Sequence, residues 1–421
     1  MKMKLKLFTV PLFAFALGTA TAQEPTPIEE LGELIFDVIN LSINQNQSCA
    51  TCHGEDWGTT GPDPLINALG AVYEGSIDGR FGNRKPPSSA YATLSPVFHF
   101  DKGGNGEWVG GNFWDGRATG EKLGNPAADQ AQGPFLNPAE QALPDAACVV
   151  YRVRESAYAV LYEQVWGNNI FTINFPTDTD MLCGEKNVTI PLSTEDREKV
   201  EMEYDNIALS IAAYEGSPGV NQFSSKFDAS RGGGGKTKLN KEEQRGFALF
   251  QGKGKCARCH VSNDLMPAFT DFTYHNLGVP PNPWNPALLA DTDFRDPGLG
   301  GFLRDNRGEP PEVYEPELGK MKVPTLRNVD RRPPTNSIKA YAHNGYFKSL
   351  KGIVHFYNTR DVKPTCLDLY TEAQALAAGC WPAPEVAENV NTAELGDLGL
   401  TEDEEDAIVA FLKTLTDEFE P

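Results

Sequence analysis

The stretches Cys49-Ala50-Thr51-Cys52-His53 and Cys256-Ala257-Arg258-Cys259-His260 share one pattern, and this pattern decides which folds the chain can have. C-x-x-C-H is the attachment signature of c-type haem, in which two thiols add to the haem vinyl groups and the histidine becomes the proximal iron ligand. A zinc site would place its second C-x-x-C about 12–20 residues away. A thioredoxin-like motif needs a βαβ setting, and it does not require two copies that each carry a histidine. We therefore predict two covalently bound haems.

Length and composition set broad limits. The chain has 421 residues, which is enough for two or three domains with real cores. It is 40% hydrophobic and 23% charged, as globular proteins are, which argues against a largely disordered or fibrous chain. The formal net charge of −21 excludes a general binder of nucleic acid or of anionic membranes.

The first 22 residues are typical of a signal peptide. Lys2, Lys4 and Lys6 precede an apolar run over Leu7–Leu17, and Ala20-Thr21-Ala22 is a small-x-small cleavage site. The apolar run is too short to span a bilayer comfortably, which disfavours the alternative of a membrane anchor, and no other stretch approaches that length. We expect cleavage after Ala22 and export to a bacterial periplasm, where disulfides persist.

The four cysteines outside the haem motifs form two local pairs. Cys148 and Cys183 enclose one segment, and Cys366 and Cys380 enclose another. Because their number is even and the chain is expected to be exported, we favour one disulfide within each pair. The sequence leaves this connectivity open, since two of the three possible pairings would bridge distant halves.

Helical patterns dominate the chain and predict a mostly α fold with long loops. Helices are predicted over 28–41, 151–166, 198–214, 239–251 and 401–415, with Asn240 and Thr401 at the starts of the last two. Residues 54–147 and 281–319 are rich in Gly and Pro and predict long loops, and Gly232–Gly235 marks a boundary. The two haem motifs divide the chain into comparable halves, which indicates an internal duplication.

Further stretches resemble a known family. These stretches are Phe113-Trp114-Asp115-Gly116-Arg117-Ala118, the segment from Gln130 to Glu140, Tyr274-His275-Asn276-Leu277-Gly278-Val279-Pro280 and Pro324-Thr325-Leu326-Arg327-Asn328. With the two haem motifs, they resemble the bacterial dihaem cytochrome c peroxidase superfamily, which includes MauG, over essentially the whole mature chain. The resemblance implies two cytochrome c-like domains, 23–200 with a peroxide-reactive haem and 201–421 with an electron-transfer haem.

The resemblance also implies which side chains act near the first haem. Gln130, Pro134 and Glu140 reproduce the family's distal spacing of four and then six residues. Glu140 suits the proton transfer that heterolytic peroxide cleavage needs, especially if burial raises its pKa. Gln130 can hydrogen-bond peroxide, and Pro134 offers only a wall. Trp114 matches a tryptophan that relays electrons between the haems. Taken alone, Glu140 would be a solvated acid and Trp114 a core residue.

A first departure from the family's peroxidases concerns the distal side of the first haem. Many of them carry a histidine, between the first haem motif and the FWDGRA-like stretch, that blocks the peroxide site until the second haem is reduced. Residues 54–98 contain no histidine, and His99 lies beyond that place. We therefore expect the first haem to be five-coordinate or water-bound even when the protein is fully oxidised.

A second departure concerns the other haem. The peroxidases have a methionine fourteen residues after the histidine that matches His343, whereas this chain has Tyr357, as MauG has tyrosine. Leu350, Val354 and Tyr357 share one helical face. A phenolate is a hard anionic ligand, whereas a thioether raises the potential. We predict Tyr357 as an iron ligand. The alternatives are a buried tyrosine beside the haem, or one of the ligands Met321, His275, His343 and His355.

The family also binds calcium between its domains, through one Asn side chain and backbone oxygens. The matching position here holds Lys85, with Asn83 nearby, and the later segment carries an insertion around Arg331–Lys339. Calcium is therefore a possible cofactor that the sequence leaves open.

Three functions are compatible with these features. The first is a peroxidase that reduces hydrogen peroxide with electrons from a small cytochrome or copper protein. The second is a MauG-like enzyme, which uses peroxide or oxygen to store two oxidising equivalents across both haems and then oxidises Trp or Tyr side chains of a protein partner. The third is an electron carrier, which would need no proton-handling pocket. The missing histidine and Tyr357 favour the second, with an unidentified partner.

Overall fold

The computed structural model of the chain describes residues 24–104, 106–232, 237–333 and 337–420. The predicted signal peptide and most of the predicted boundary at Gly232–Gly235 lie outside these residues. The described fold is mostly α, as predicted, and its few strands form two short ribbons. None of the described helices is long and apolar enough to cross a membrane.

The first half contains eight of the described α-helices. They are α1 (Pro27–Asp37), α2 (Cys49–Cys52), α3 (Pro64–Ala68), α4 (Pro126–Leu136), α5 (Ala146–Arg154), α6 (Ala159–Trp166), α7 (Thr179–Leu182) and α8 (Thr194–Glu215). The second half contains α9 (Lys226–Arg231), α10 (Lys241–Gln251), α11 (Pro286–Ala290), α12 (Gly298–Asp305), α13 (Pro311–Tyr314), α14 (Leu350–Thr359), α15 (Glu372–Ala378) and α16 (Glu402–Lys413).

Short 3-10 helices and two antiparallel ribbons complete the described secondary structure. The 3-10 helices cover Ile39–Leu41, Glu55–Trp57, Ala92–Leu94, Asn169–Thr172, Cys256–Arg258 and Glu315–Glu317. Strand β1 (His99–Asp101) pairs with β2 (Glu107–Val109), and β3 (Tyr274–His275) pairs with β4 (Met321–Lys322).

The first hydrophobic core is built around α8, against which α1, α4 and α5 pack. Leu31, Ile35 and Ile207 are fully buried in it. Gly32 allows α1 to approach α8 closely, because a Cβ at this position would lie 2.0 Å from the Ser210 carbonyl oxygen. Burial of the apolar face of α1 against α8 thus fixes the helix that leads into the first haem motif.

The second core repeats this arrangement. Helix α10 packs against α16, with Phe250 and Phe411 fully buried, and α14 packs on α16 beside them. A Cβ on Gly246 would lie 1.8 Å from the Ala407 carbonyl oxygen. In both halves, therefore, the helix before the haem motif crosses the last helix of that half at a glycine. This repeat supports the internal duplication that the motifs indicate.

The predicted starts of α10 and α16 are confirmed by their caps. The Asn240 side chain accepts a hydrogen bond from the N–H of Glu243 at 2.9 Å. The Thr401 hydroxyl accepts one from the N–H of Glu404 at 3.3 Å. Both glutamates reach back to the N–H of their cap residue, which completes a capping box.

The single helix predicted over 151–166 is wrong, because the chain breaks between α5 and α6. The Ser156 hydroxyl donates to the Val153 carbonyl oxygen at 2.7 Å. This local bond takes up a carbonyl that the helical ladder would otherwise use. The apolar periodicity of the segment continues across the break, so the pattern alone could not reveal it.

Both favoured disulfides form, Cys148–Cys183 and Cys366–Cys380. Cys148 and Cys183 lie in the first core, where they join α5 to the segment after α7. The four cysteines of the haem motifs remain free. The predicted pairing of the four cysteines outside the haem motifs is thereby confirmed.

The two halves meet in a small apolar cluster and in an ion pair. Phe98 of the first half packs edge-on against Tyr274 and Phe302 of the second half. Arg84 binds Asp296 across the same interface at 2.6 Å. These contacts bring the loops of the first half next to the ribbon β3–β4.

Helix α8 runs across the domain boundary predicted between residues 200 and 201. Tyr204, Ile207 and Ile211 lie beyond that boundary, and all three pack in the first core. We therefore propose to place the boundary after Glu215. The division into two cytochrome c-like domains stays a prediction.

Candidate active site

The first haem motif borders a cavity that Cys49, Cys52 and His53 line. Nδ1 of His53 lies 3.1 Å from the Thr59 carbonyl oxygen. Since a carbonyl oxygen can only accept, Nδ1 carries the proton and Nε2 is left for a metal. Burial lowers the pKa of His53 to about 4, so its ring is neutral at pH 7, as a metal ligand must be.

The second haem motif borders a cavity that Cys256, Cys259 and His260 line. Nδ1 of His260 lies 2.8 Å from the Phe269 carbonyl oxygen, so Nε2 is again left for a metal. Burial lowers the pKa of His260 to about 4. Two thiols, a neutral imidazole with a free Nε2 and a large cavity fit a haem in each half.

The turns that orient the two histidines share an unusual backbone. Thr59 has φ 53° and Phe269 has φ 54°, both in the left-handed region that favours glycine. Strain of this kind costs on the order of 1–3 kcal/mol, persists only where the surrounding structure fixes it, and clusters at functional sites. The repeated turn is the structural counterpart of the repeated motif.

The three residues predicted for the distal side of the first haem all line the first cavity. Gln130 and Pro134 lie one turn apart on α4 and therefore share a face. Glu140 follows in the turn after α4, where the Asn137 amide donates to its carboxylate at 2.8 Å. The structure thus brings these residues together with the first haem motif, while their roles stay a prediction.

The charge state of Glu140 is set by burial and by two neighbours. Burial raises the pKa of Glu140, and the Arg117 guanidinium and the Asn137 amide oppose this rise. Arg117 also lines the first cavity, pairs with Asp115 at 2.9 Å and lies 3.9 Å above the Phe113 ring centroid. Sequence analysis missed Arg117 as a site residue, although it belongs to the FWDGRA-like stretch.

A second carboxyl of the first cavity was also missed. Glu215, at the end of α8, is 3% exposed, and its Oε2 has no hydrogen-bond partner among the described residues. Burial raises the pKa of Glu215 to about 8, so this carboxyl is mostly neutral at pH 7. Nothing local distinguishes it from the other acids of α8, because its burial depends on packing.

Trp114 lines both cavities. Its indole Nε1 donates to the Lys85 carbonyl oxygen at 2.8 Å, and its ring centroid lies 6.4 Å from that of His343. The Trp114 carbonyl oxygen accepts from the N–H of Lys322 at 2.8 Å. The indole is therefore buried and fixed between the two cavities, which is where a relay would have to lie.

One face of α14 borders the second cavity, as predicted. Leu350, Val354 and Tyr357 line it, whereas Nδ1 of His355 lies 2.9 Å from Glu405, outside the lining. The Tyr357 hydroxyl makes no hydrogen bond with the residues that the structure describes. Burial raises the pKa of Tyr357. Ligation of iron by this side chain stays a prediction.

Of the other candidate ligands of the second haem, only Met321 is as well placed as Tyr357. Nε2 of His343 lies 3.0 Å from Glu385, and Nε2 of His275 lies 3.1 Å from the Thr273 hydroxyl. Both rings therefore already have partners. Met321, on β4, is buried and also lines the cavity. Tyr357 and Met321 are thus the two ligands to be distinguished.

Cys259, Asp271 and His275 form a further group, whose ligand atoms lie within 4.8 Å of one another. Asp271 accepts hydrogen bonds from the Thr273 N–H at 3.0 Å and from its hydroxyl at 2.8 Å. Haem attachment would turn the Cys259 thiol into a thioether. We therefore assign this group to the surroundings of the second haem.

Of the six histidines, all of which are described, His53 alone lines the first cavity. His99 is exposed on β1, where its Nδ1 lies 2.8 Å from the Val97 carbonyl oxygen. No imidazole is therefore placed on the distal side of the first cavity. The coordination state of the first haem stays a prediction.

A network of buried charged side chains connects the two halves beside Trp114. Arg84 binds Asp115 and Asp296, each at 2.6 Å. Although burial alone would raise it, Arg84 holds the pKa of Asp296 at about 2. Glu385 accepts from the Asp296 N–H at 3.1 Å and pairs with His343 at 3.0 Å. Asp296, His343 and Glu385, at one end of this network, line the second cavity.

The residues at the expected calcium position do not fit a calcium ion. Lys85 stands at the sequence position expected for the Asn ligand, and its Nζ donates to the Thr60 hydroxyl and the Pro86 carbonyl oxygen, both at 2.9 Å. The Asn83 amide nitrogen faces Asp296 at 3.4 Å. Calcium requires six to eight oxygen ligands, and a buried ammonium among them would repel it.

Comparisons with known proteins agree with this geometry. The family described as di-haem cytochrome c peroxidase matches residues 27–236. The methylamine utilization protein MauG of Paracoccus denitrificans is 34% identical over 425 residues, which cover 98% of this chain and 95% of that relative. The chain belongs to the dihaem cytochrome c peroxidase family. It is therefore a haem-peroxidase-type oxidoreductase, and membership of the family implies two haems.

Other members of the dihaem cytochrome c peroxidase family are more distant. The crystal structure of the diheme peroxidase BthA from Burkholderia thailandensis superposes with a TM-score of 0.71 at 26% identity, covering 95% of this chain and 88% of that one. The cytochrome c551 peroxidase of Nitrosomonas europaea is 25% identical over 338 residues, which are 80% of this chain and 74% of that relative.

Proposed function

We propose that this protein is a periplasmic dihaem oxidoreductase of the MauG type. It reacts with hydrogen peroxide at an open first haem and passes oxidising equivalents through Trp114 and the second haem to a protein partner. The observation that carries this proposal is the position of Trp114, whose buried indole lines both cavities. The predicted signal peptide over residues 1–22 and the two disulfides support an oxidising compartment.

Each haem would be held by its own motif. The holding residues are Cys49, Cys52 and His53 for the first haem, and Cys256, Cys259, His260 and Tyr357 for the second. When bound, the haems supply the iron that reacts with peroxide and the redox centres that exchange electrons. The remaining work, which is to bind peroxide, move its proton and relay electrons, falls to side chains.

Proton transfer is the work of Glu140. Its carboxylate accepts a proton from one oxygen of hydrogen peroxide and returns it to the other oxygen, which leaves as water when the O–O bond breaks, so that the carboxylate is regenerated. Gln130 hydrogen-bonds the peroxide and orients it. Pro134 has no side-chain donor or acceptor, so it leaves the distal position open. The Asn137 amide holds Glu140 in place, and the charge of Arg117 and the Asn137 hydrogen bond both favour its ionised form.

The alternative function is a peroxidase that removes hydrogen peroxide with electrons from a small cytochrome or cupredoxin. Relatives named cytochrome c peroxidase favour it. The absence of histidine from residues 54–98 and the presence of Tyr357 favour the MauG-type function. Both functions use the same first cavity, so they differ in what gives up electrons at the second haem.

The relay is tested with holoprotein in which Trp114 is replaced by phenylalanine. Hydrogen peroxide is added, and stopped-flow spectra follow the first and second haems separately. We expect W114F to consume peroxide normally and to slow transfer to the second haem at least tenfold. Trp108→Phe is the matched control, since Trp108 stacks on Phe98 and lines neither cavity. Wild-type transfer in W114F would refute the relay.

The two functions are distinguished by the electron source. Peroxide is supplied together with a reduced small cytochrome in one experiment and with a candidate exported protein partner in another. The MauG-type function predicts mass changes at Trp or Tyr side chains of the partner and slow oxidation of the cytochrome. Rapid, multiple-turnover oxidation of the cytochrome with no change in any partner would establish the peroxidase instead.

A further inference from the structure

Two lysines are buried where the halves meet, and neither forms an ion pair with a described residue. Lys339 is 3% exposed and Lys85 is 7% exposed. The Nζ of Lys339 donates to the carbonyl oxygens of Trp57 at 2.8 Å, Asn328 at 2.9 Å and Arg331 at 3.1 Å. Trp57 belongs to the first half and the other two acceptors to the second. One positive charge thus joins both halves.

The acceptors around Lys339 define its charge state. A neutral amine has two N–H donors, whereas three carbonyl oxygens need three, so the group is an ammonium. Burial and the positive charges of Lys85 and two nearby arginines lower the pKa of Lys339, whereas the Asp330 carboxylate and the three carbonyl dipoles that face the group favour its charged form. Backbone carbonyl oxygens from separate segments, gathered around one cation, are the kind of surroundings that proteins offer to calcium.

The same loop of the first half is held at two points. Lys339 binds the Trp57 carbonyl oxygen, and Lys85 binds the Thr60 hydroxyl. Between them lies Thr59, whose carbonyl oxygen orients His53 and whose backbone is left-handed. Gly58 allows the close approach, because a Cβ there would lie 2.8 Å from the Asn328 carbonyl oxygen. The Nζ groups of the two lysines therefore fix the turn that sets the ring of His53.

We propose that Lys339 and Lys85 replace a bound calcium ion in this protein. The Lys339 Nζ holds Trp57 against the second half, and the Lys85 Nζ holds Thr60 against Pro86 within the first half. Both lysines so act as positioning residues for His53. The protein then needs no calcium for stability or for the geometry of its first haem. The positioning part rests on the proposed role of His53 as proximal ligand, whereas the absence of a calcium site does not.

Metal content tests the absence of a calcium site. The holoprotein is incubated with calcium chloride, desalted and analysed by plasma mass spectrometry, and its Tm and EPR spectrum are compared before and after treatment with EGTA. We expect far less than one calcium per chain and no change on chelation. One retained calcium per chain, or a Tm that falls on chelation, would overturn the proposal. This experiment does not use peroxide. Its result can therefore be interpreted even if the proposed function proves wrong.

The positioning role is tested with Lys339→Met, and Lys348→Met is the matched control. Nζ of Lys348 also donates to three carbonyl oxygens from both halves, at Asn67, Leu69 and Gly345, but it does not touch residues 57–60. We expect both variants to lower Tm by about 3 °C or more. K339M alone should change the EPR signal and the reduction potential of the first haem.

An unchanged first-haem signal in K339M, or the same change in K348M, would overturn the positioning role. If K339M does not accumulate as holoprotein, Lys85→Met is measured in the same way. It removes one of the two holding points at residues 57–60, so the same change of the first-haem signal is expected, and an unchanged signal again counts against the role.

Discussion

Replacement of Glu140 by glutamine removes the proposed proton carrier while it conserves the shape of the first cavity. A glutamine oxygen can still accept the hydrogen bond that the Asn137 amide now donates at 2.8 Å, so the loss falls on proton transfer alone. General acid–base catalysis contributes about 10²–10⁴-fold. We therefore expect the second-order rate constant for the reaction with peroxide, measured by stopped-flow absorbance, to fall at least about 10²-fold. A variant that reacts at the wild-type rate would show that another group moves the proton.

The role of Glu140 also predicts the direction in which the rate of the same reaction changes with pH. Peroxide deprotonation needs the Glu140 carboxylate, whose pKa burial raises above 4.5, so the wild-type rate should fall as the pH drops through that raised pKa. E140Q should lose this acid limb. Arg117→Gln removes a charge that opposes the rise, so it should move the limb to higher pH and leave the alkaline rate unchanged. Arg307→Gln is the control, because Arg307 also faces a ring, that of Phe98, outside the first cavity.

An acid limb that stays at the same pH in R117Q would contradict the assignment of the limb to Glu140. A limb that persists in E140Q would contradict it as well. Both measurements use the same holoprotein and the same absorbance change, so they do not depend on the identity of the partner.

Three further predictions follow from single contacts. Tyr357→Met should introduce a methionine-to-iron charge-transfer band in the near infrared and raise the reduction potential of the second haem, and an unchanged spectrum would show that Tyr357 is not the ligand. Because the pKa of Glu215 is raised to about 8, the folded state keeps this proton between about pH 4.5 and pH 8, whereas the unfolded state has lost it. The free energy of unfolding should therefore fall as the pH rises through this window, by up to about 1.4 kcal/mol per pH unit. Denaturant unfolding of Glu215→Gln should lack this slope. Gly246→Ala places a Cβ 1.8 Å from the Ala407 carbonyl oxygen and should destabilise the second half by about 1–3 kcal/mol or more, whereas Gly82→Ala, with open space around it, should not.

The parts of the fold that local sequence controls could be predicted. Asn240 and Thr401 mark helix starts because a cap acts on residues only three positions away. Tyr357 lines the second cavity because helical spacing places it on one face with Leu350 and Val354. Gln130 and Pro134, which line the first cavity, were predicted from the family resemblance rather than from a helical pattern. Both disulfides follow from pairing within short segments.

The parts that depend on distant packing could not be predicted. Arg84 and Asp296 are 212 residues apart in the chain, and no local pattern links them. The burial of Glu215 and Lys339 depends on packing against residues that are distant in the chain, so the sequence around each of these charged residues gives no sign of it. The break at Ser156 was missed for a different reason, since the apolar periodicity continues across it.

In the proposed function, peroxide meets an open first haem while the second haem keeps a protein ligand. EPR and near-infrared spectra of the fully oxidised holoprotein, recorded before peroxide is added, report the coordination of both irons. We expect a high-spin ferric signal from the first haem, a low-spin signal from the second, and no methionine-to-iron charge-transfer band. A wholly low-spin ferric spectrum would contradict the open site, and a methionine band would contradict Tyr357 as the ligand.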